Sequence, residues 1–215
     1  MRIYDARLPP VFRMLVQGNS GSGKSSLLLD ILENRNGILH ADFDKVIYIR
    51  GVETPHEYRL RNRFGENLFV FNSIPKKEVL IPLCKTEENT ILIIEDLDDE
   101  AFSSGLVAKF YTAFSHHYCT SCFISSQNIF RSGQEKQTLF RNSTHLVIFK
   151  SDLDQSLIRL LSRKVYPKNP RALVALFDDL TQEPFSYLSI WSDCPTELKF
   201  RTDITKECQR VFVES

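Results

Sequence analysis

A chain of 215 residues with 42% apolar and 11% aromatic residues has ample material for one sizeable core, and eight Gly and nine Pro leave no room for a long low-complexity tract. Twenty-seven basic residues balance twenty-seven acidic ones. That balance excludes a lone, uniformly basic nucleic-acid module, so any nucleic-acid contact has to come from basic groups gathered on one surface, for example around a ring of several copies.

In chain order, apolar runs of strand length alternate with segments of helical period, the pattern of a mostly parallel α/β sheet. Residues 12–17 predict a first strand that runs straight into a Gly-rich loop. Residues 24–34, with Leu27, Leu28, Ile31 and Leu32 on one face, predict the helix after it. Further strands are expected at Lys45–Arg50, 67–71, Thr90–Glu95, 121–125, His145–Phe149 and Tyr187–Trp191, with 198–204 ending the sheet. Helices are expected over 101–118, over 152–165 with Leu153, Leu157, Leu160 and Leu161 on its apolar face, and over Pro170–Leu180, which opens on a proline. Residues 51–65 read as polar and basic. No linker or repeat divides the chain, so residues 1–215 are expected to form one domain. No run approaches the ~20 apolar residues of a membrane span and the start lacks a signal-peptide apolar block, so the expectation is a soluble, intracellular protein.

The five cysteines are an odd number and form no disulfide framework. Cys119 and Cys122 make a CxxC just after His116 and His117, but no second pair completes a tetrahedral metal set. Cys122 also begins an apolar strand, where a cysteine serves as a small buried side chain.

Between the first strand and its helix lies Gly18-Asn19-Ser20-Gly21-Ser22-Gly23-Lys24-Ser25, the GxxxxGK[ST] pattern in its proper strand–loop–helix setting. Glycines at 18, 21 and 23 let the backbone curl so that successive N–H groups point at phosphate oxygens. The positive end of the following helix faces the same spot. Lys24 supplies a point charge to the β- and γ-phosphates, and the Ser25 hydroxyl is a ligand for Mg²⁺. Ser26 contacts the α-phosphate region or caps the helix. The reading is ATP bound with Mg²⁺.

Some seventy residues on, Ile91-Leu-Ile-Ile-Glu95-Asp96 is an apolar strand ending in paired acids, as in a Walker B strand. Such a strand delivers one carboxylate to the metal and a second to the attacking water. The usual order is Asp first, whereas here Glu leads. Either Glu95 reaches the metal shell with Asp96 as base, or Asp96 takes the metal and Asp98 or Asp99 assists the water.

Phe123-Ile-Ser-Ser-Gln127-Asn128 ends another buried strand on an amide, and Arg141-Asn142-Ser143 leads into a strand ending at Phe149. In this order the segments resemble the FtsK/HerA superfamily of DNA translocases, and the compact size resembles the genome-packaging ATPases of double-stranded DNA viruses. The nearest likeness is to the virophage, adintovirus and Polinton/Maverick type, related to the poxvirus packaging ATPase. The resemblance implies a RecA/FtsK-like P-loop NTPase fold and a ring-forming, usually hexameric motor that pulls double-stranded DNA into a capsid. It implies Gln127 as polar sensor and Arg141 as the finger toward a neighbour's ATP, with Arg131 as the rival. The Glu at 95 departs from the family's usual Asp.

For DNA, the densest basic stretch is Arg59, Arg61 and Arg63, which also reads as a solvated helix face or a subunit contact; Lys164, Lys168 and Arg171 form a second cluster. Capsid protein is a further implied partner, and no membrane is. Two other readings of the loop stand beside the motor: a small-molecule kinase with an Arg-rich lid, and a nucleotide switch without turnover.

Overall fold

The computed structural model describes residues 7–97, 103–127, 129, 134–151, 156–194, 198–206 and 209–212. Asp98, Asp99, Asn128 and Arg131, and the starts of the helices expected from 101 and 152, lie outside the described residues.

Nine strands form one sheet: β1 (Arg13–Gln17), β2 (Lys45–Arg50), β3 (Leu68–Phe71), β4 (Thr90–Glu95), β5 (Ser121–Ser126), β6 (His145–Phe149), β7 (Tyr187–Trp191), β8 (Phe200–Thr202) and β9 (Arg210–Phe212). Their order is β3-β2-β4-β5-β1-β6-β7-β8-β9. The first six run parallel and the last three join antiparallel. Gln17, Arg50, Phe71, Glu95, Ser126 and Phe149 therefore all finish at one edge, where open α/β sheets place their ligand sites.

The central strands are apolar throughout because both faces are covered. Residues alternate between two cores. Leu15, Ile47, Ile49, Leu92, Ile94, Ile124 and Ile148 pack on one face, and Met14, Val16, Tyr48, Ile91, Ile93, Phe123 and Phe149 on the other. The second face is covered by α1 (Lys24–Leu32) and by Leu60 of α2 (His56–Phe64). The first is covered by α3 (Lys77–Cys84), by α4 (Gly105–Lys109, continuing through Phe110–Phe114 and Ser115–His117) and by α5 (Gln134–Asn142), α6 (Ser156–Val165) and α7 (Pro170–Leu180).

The expected strands and the Pro170–Leu180 helix form with ends shifted by a residue or two at most. Four elements are additional among the described residues, one of them α5, which carries Arg141 near its C-terminal end. α2 forms within the basic 51–65 segment, burying only Glu57 and Leu60. α3 contains Pro82, which masks it as a helix in sequence. β9 corrects the expectation that 198–204 ends the sheet: Arg210–Phe212 pairs with β8 beyond it, opposing Val211 to Arg201. Three residues, mostly exposed, are too short to carry a strand pattern of their own. Among the described residues no helix is long and apolar enough to cross a membrane.

Candidate nucleotide-binding site

The loop after β1 is tied to the sheet by its own backbone: the Gly18 N–H donates to the Ser126 carbonyl at 3.1 Å, and the Ser22 N–H to that of Asn19 at 3.2 Å. Gly21 and Gly23 sit at φ of 77° and 107°, in the left-handed region that favours glycine. α1 then begins at Lys24 with no side-chain cap on its N-terminus, which leaves its first-turn N–H groups directed into the loop as anion donors. A side chain at Gly18 would strike Ser22 Oγ at 2.3 Å, and Phe149 packs beneath both Gly18 and Gly23.

The Lys24 ammonium folds over the loop, donating to the carbonyls of Gly18 at 2.7 Å and Asn19 at 2.9 Å. Ser25 Oγ donates to Glu95 Oε1 at 3.0 Å, joining loop and strand end across 70 residues. The other carboxylate oxygen, Oε2, accepts from Tyr48 Oη at 2.7 Å, and Thr54 Oγ1 lies 3.4 Å beyond. The meeting follows from the pleat: Tyr48 and Glu95 share the parity of the residues facing α1, and Arg50 is the register partner of Glu95.

Glu95 is only 3% exposed. Burial raises its pKa above the ordinary carboxylate range, the hydrogen bonds from Tyr48 and Ser25 pull it down, and burial wins. The Tyr48 phenol is pushed far above its usual value, first by burial and then by the Glu95 charge, so it remains a hydrogen-bond donor at any physiological pH. One hydroxyl and one carboxylate oxygen side by side fit Mg²⁺, which takes hard oxygen donors and completes its shell with water and phosphate. Among the described residues no cluster of three or more His, Cys, Asp or Glu offers an all-protein cage.

At Asp96 the chain turns through φ 55°. A side chain at Gly51 would meet the Asp96 carbonyl at 2.3 Å, so glycine at 51 permits the turn. The Asp96 carboxyl is exposed beside the buried Glu95. Gln127 is exposed just past the end of β5. Its carbonyl accepts from Gln17 Nε2, whose own Oε1 accepts from the Ile129 N–H at 2.7 Å. Gln17, buried at the last position of β1, thus clamps the turn carrying Gln127. Asn19 Nδ2 donates to Ser151 Oγ at 3.0 Å, linking the loop to the segment before α6.

Lys24, Ser25 and Glu95 are therefore brought together within the Gly18–Ser26 loop region, with Asp96 and Gln127 at the same sheet edge. Arg141 is not brought there. It is exposed near the C-terminal end of α5; the following Thr144 donates its N–H to the Arg13 carbonyl at 2.9 Å, at the start of β1. That is the opposite edge of the sheet, roughly 15 Å of strand away. Nor do Arg59, Arg61 and Arg63 form an open basic surface: Arg59 pairs with Glu33, Arg61 with Glu57 at 2.5 Å and Arg63 with Asp42 at 3.2 Å. Glu57 is buried, yet the hydrogen bonds from Arg50 and Arg61 hold its carboxyl below the usual range. Cys119 is exposed while Cys122 is buried in the core. Sequence reasoning missed Tyr48 and Gln17; the available signal was the Gln17 amide at the end of an apolar strand.

Strand, glycine loop and uncapped helix, with an acid from a nearby parallel strand on the loop's serine, define the α/β fold of a P-loop NTPase. No protein-family model matches the sequence, and no curated protein matches it. Among solved structures the chain is similar to the genome packaging NTPase B204 of Sulfolobus turreted icosahedral virus 2. Its complex with AMP aligns at 12% identity and a TM-score of 0.61 over 95% of this chain and 98% of that one. Its complex with sulfate aligns at 13% identity and a TM-score of 0.58 over 95% and 97%. The crystal structure of B204, the DNA-packaging ATPase from Sulfolobus turreted icosahedral virus, gives 12% identity and 0.55 over 93% and 95%. The expected fold class is borne out, and at the level of fold so is the likeness to viral packaging ATPases.

Proposed function

We propose that this chain hydrolyses ATP and uses the energy to drive double-stranded DNA into a viral or virus-like capsid, working as a ring of identical subunits. The observation that carries the reading is the 3.0 Å bond between Ser25 and Glu95: it sets a hydroxyl and a carboxylate at the mouth of a phosphate loop, on the fold of a packaging NTPase.

Bound ATP replaces the carbonyls of Gly18 and Asn19 as partner of the Lys24 ammonium, and the N–H groups of Gly21–Ser26 hold the β- and γ-phosphates. Ser25 and Glu95 would hold Mg²⁺, which would supply a Lewis acid against the charge that builds on the phosphates. Asp96, exposed at the strand end, takes the proton of the attacking water, while Gln127 orients that water. Arg141 acts on a neighbouring subunit's γ-phosphate, since it lies far from its own loop.

DNA contact falls to α6 and α7 rather than to α2. Residues 156–177 hold five basic and no acidic side chains in a chain of zero net charge. Arg159, Arg163 and Arg171 line a groove of about 320 Å³ together with Asp178, and among the described residues none of the three arginines pairs with a carboxylate. Phosphate contacts of this kind are blind to base sequence, as a packaging motor requires. Steady-state hydrolysis with and without duplex DNA tests the proposal. DNA-stimulated turnover is expected; turnover that needs a small-molecule acceptor would favour a kinase, and tight binding without turnover a switch.

A further inference from the structure

Phe185, two residues before β7, keeps 69% of its surface exposed and holds a left-handed backbone at φ 63°. Both features are costly for a phenylalanine: its ring gains little from burial, and an L-residue with a bulky side chain is strained in that conformation. Its ring stands on the shoulder of the phosphate loop, with Cδ1 3.4 Å and Cβ 3.5 Å from where a side chain on Gly23 would begin. Phe149 supports the same glycine from below, and Tyr187 packs on Phe149 with ring centroids 5.1 Å apart.

The position fixes what the ring can meet. Ser25 and Glu95 mark the metal and terminal-phosphate end of the site, on the β4 side of β1. With the terminal phosphates held at that end, the base of a nucleotide bound in the loop would extend toward β6 and β7, the side on which Phe185 lies against Gly23. We propose that Phe185 is the platform on which the nucleobase stacks. The inference rests on the nucleotide-binding reading of the loop and adds to it the part of the ligand beyond the phosphates. A flat apolar face binds any purine, so ATP and GTP are both accommodated.

Calorimetry with two ligands, Mg²⁺–ATP and Mg²⁺–tripolyphosphate, tests it. Phe185→Ala is expected to weaken ATP roughly tenfold, the scale of one base–aromatic stack, and to leave tripolyphosphate affinity unchanged, while Phe185→Trp retains ATP affinity. Phe185→Gly, which also relieves the left-handed backbone, should behave as the alanine variant does and keeps the test open if that variant folds poorly. Undiminished ATP affinity in both variants overturns the proposal, as does equal weakening of both ligands, which would make the ring a prop for the loop. A drop in oligomer mass with ATP affinity intact overturns it in favour of a subunit contact. Failure of the unaltered protein to bind either ligand would instead sink the phosphate-loop reading itself.

Discussion

Tyr48 donates its phenolic hydrogen to one oxygen of Glu95 at 2.7 Å while Ser25 holds the other at 3.0 Å. Both oxygens of a buried acid are thus satisfied from opposite sides, and the carboxylate cannot rotate away from the loop. Tyr48→Phe should remove the bond that lowers the Glu95 pKa, so the acid limb of the pH–rate profile moves to higher pH. Loss of such a supporting partner should cost roughly 10–100-fold in activity or Mg²⁺ affinity. An unmoved acid limb would make Tyr48 a packing residue alone.

The same burial makes Glu95 a burden on the fold. Its native pKa is raised, so the native state binds the proton more tightly than the unfolded one. Its stabilising contribution is full below the ordinary carboxylate pKa and is lost as pH rises through the raised value. His145 acts in the other direction: burial, with Arg201 and Arg13 nearby, lowers its pKa to about 3, so stability falls as pH drops below about 6.5. Glu95→Gln should therefore abolish turnover yet raise the Tm of the nucleotide-free protein at pH 8, with the acid-side loss from His145 unchanged. A lower Tm for the variant at pH 8 would show that the ionised carboxylate holds the apo site together.

Lys24→Ala should remove ATP binding and hydrolysis together, because Lys24 is the one cation the loop itself contributes. Nucleotide affinity within a few-fold of the parent, measured by calorimetry, would contradict the phosphate-loop assignment.

How much of this was legible follows from distance along the chain. The loop and the strand ending at Glu95 are contiguous patterns, and a central parallel strand declares itself by unbroken apolarity. Tyr48 lies 47 residues from Glu95, and in a strand reading KVIYIR a tyrosine counts as one more large side chain. The acids that neutralise α2 are likewise out of register: Glu33 is 26 residues from Arg59 and Asp42 is 21 from Arg63. A sequence window therefore shows three arginines where the fold shows three ion pairs. Basic side chains at 159, 163 and 171 have no carboxylate partner among the described residues, and no acid occurs between 156 and 177, a signal that was present but divided between two helices.

That contrast separates two surfaces by experiment. Arg159→Glu with Arg163→Glu should weaken duplex DNA binding by fluorescence anisotropy and flatten its dependence on salt by about one unit of slope for each phosphate no longer engaged. Arg59→Glu with Arg63→Glu breaks exposed pairs with Glu33 and Asp42, each worth up to about 1 kcal/mol, and should lower Tm slightly while leaving the salt slope alone. The reverse pattern would return the DNA surface to α2.

Arg141 tests assembly. It stands at the sheet edge opposite its own loop, so its charge can reach a γ-phosphate only on another subunit. Arg141→Ala should keep ATP affinity and stop turnover. Mixed with a chain carrying Glu95→Gln and Asp96→Asn, it should regain part of the activity: some interfaces then pair an intact Glu95–Asp96 site with an intact Arg141. The mixing ratio gives a maximum near equal amounts if one arginine serves one neighbouring site, as a ring of identical subunits demands. No recovery in mixtures shown by light scattering to co-assemble would remove Arg141 from the reaction and leave its charge to the protein surface.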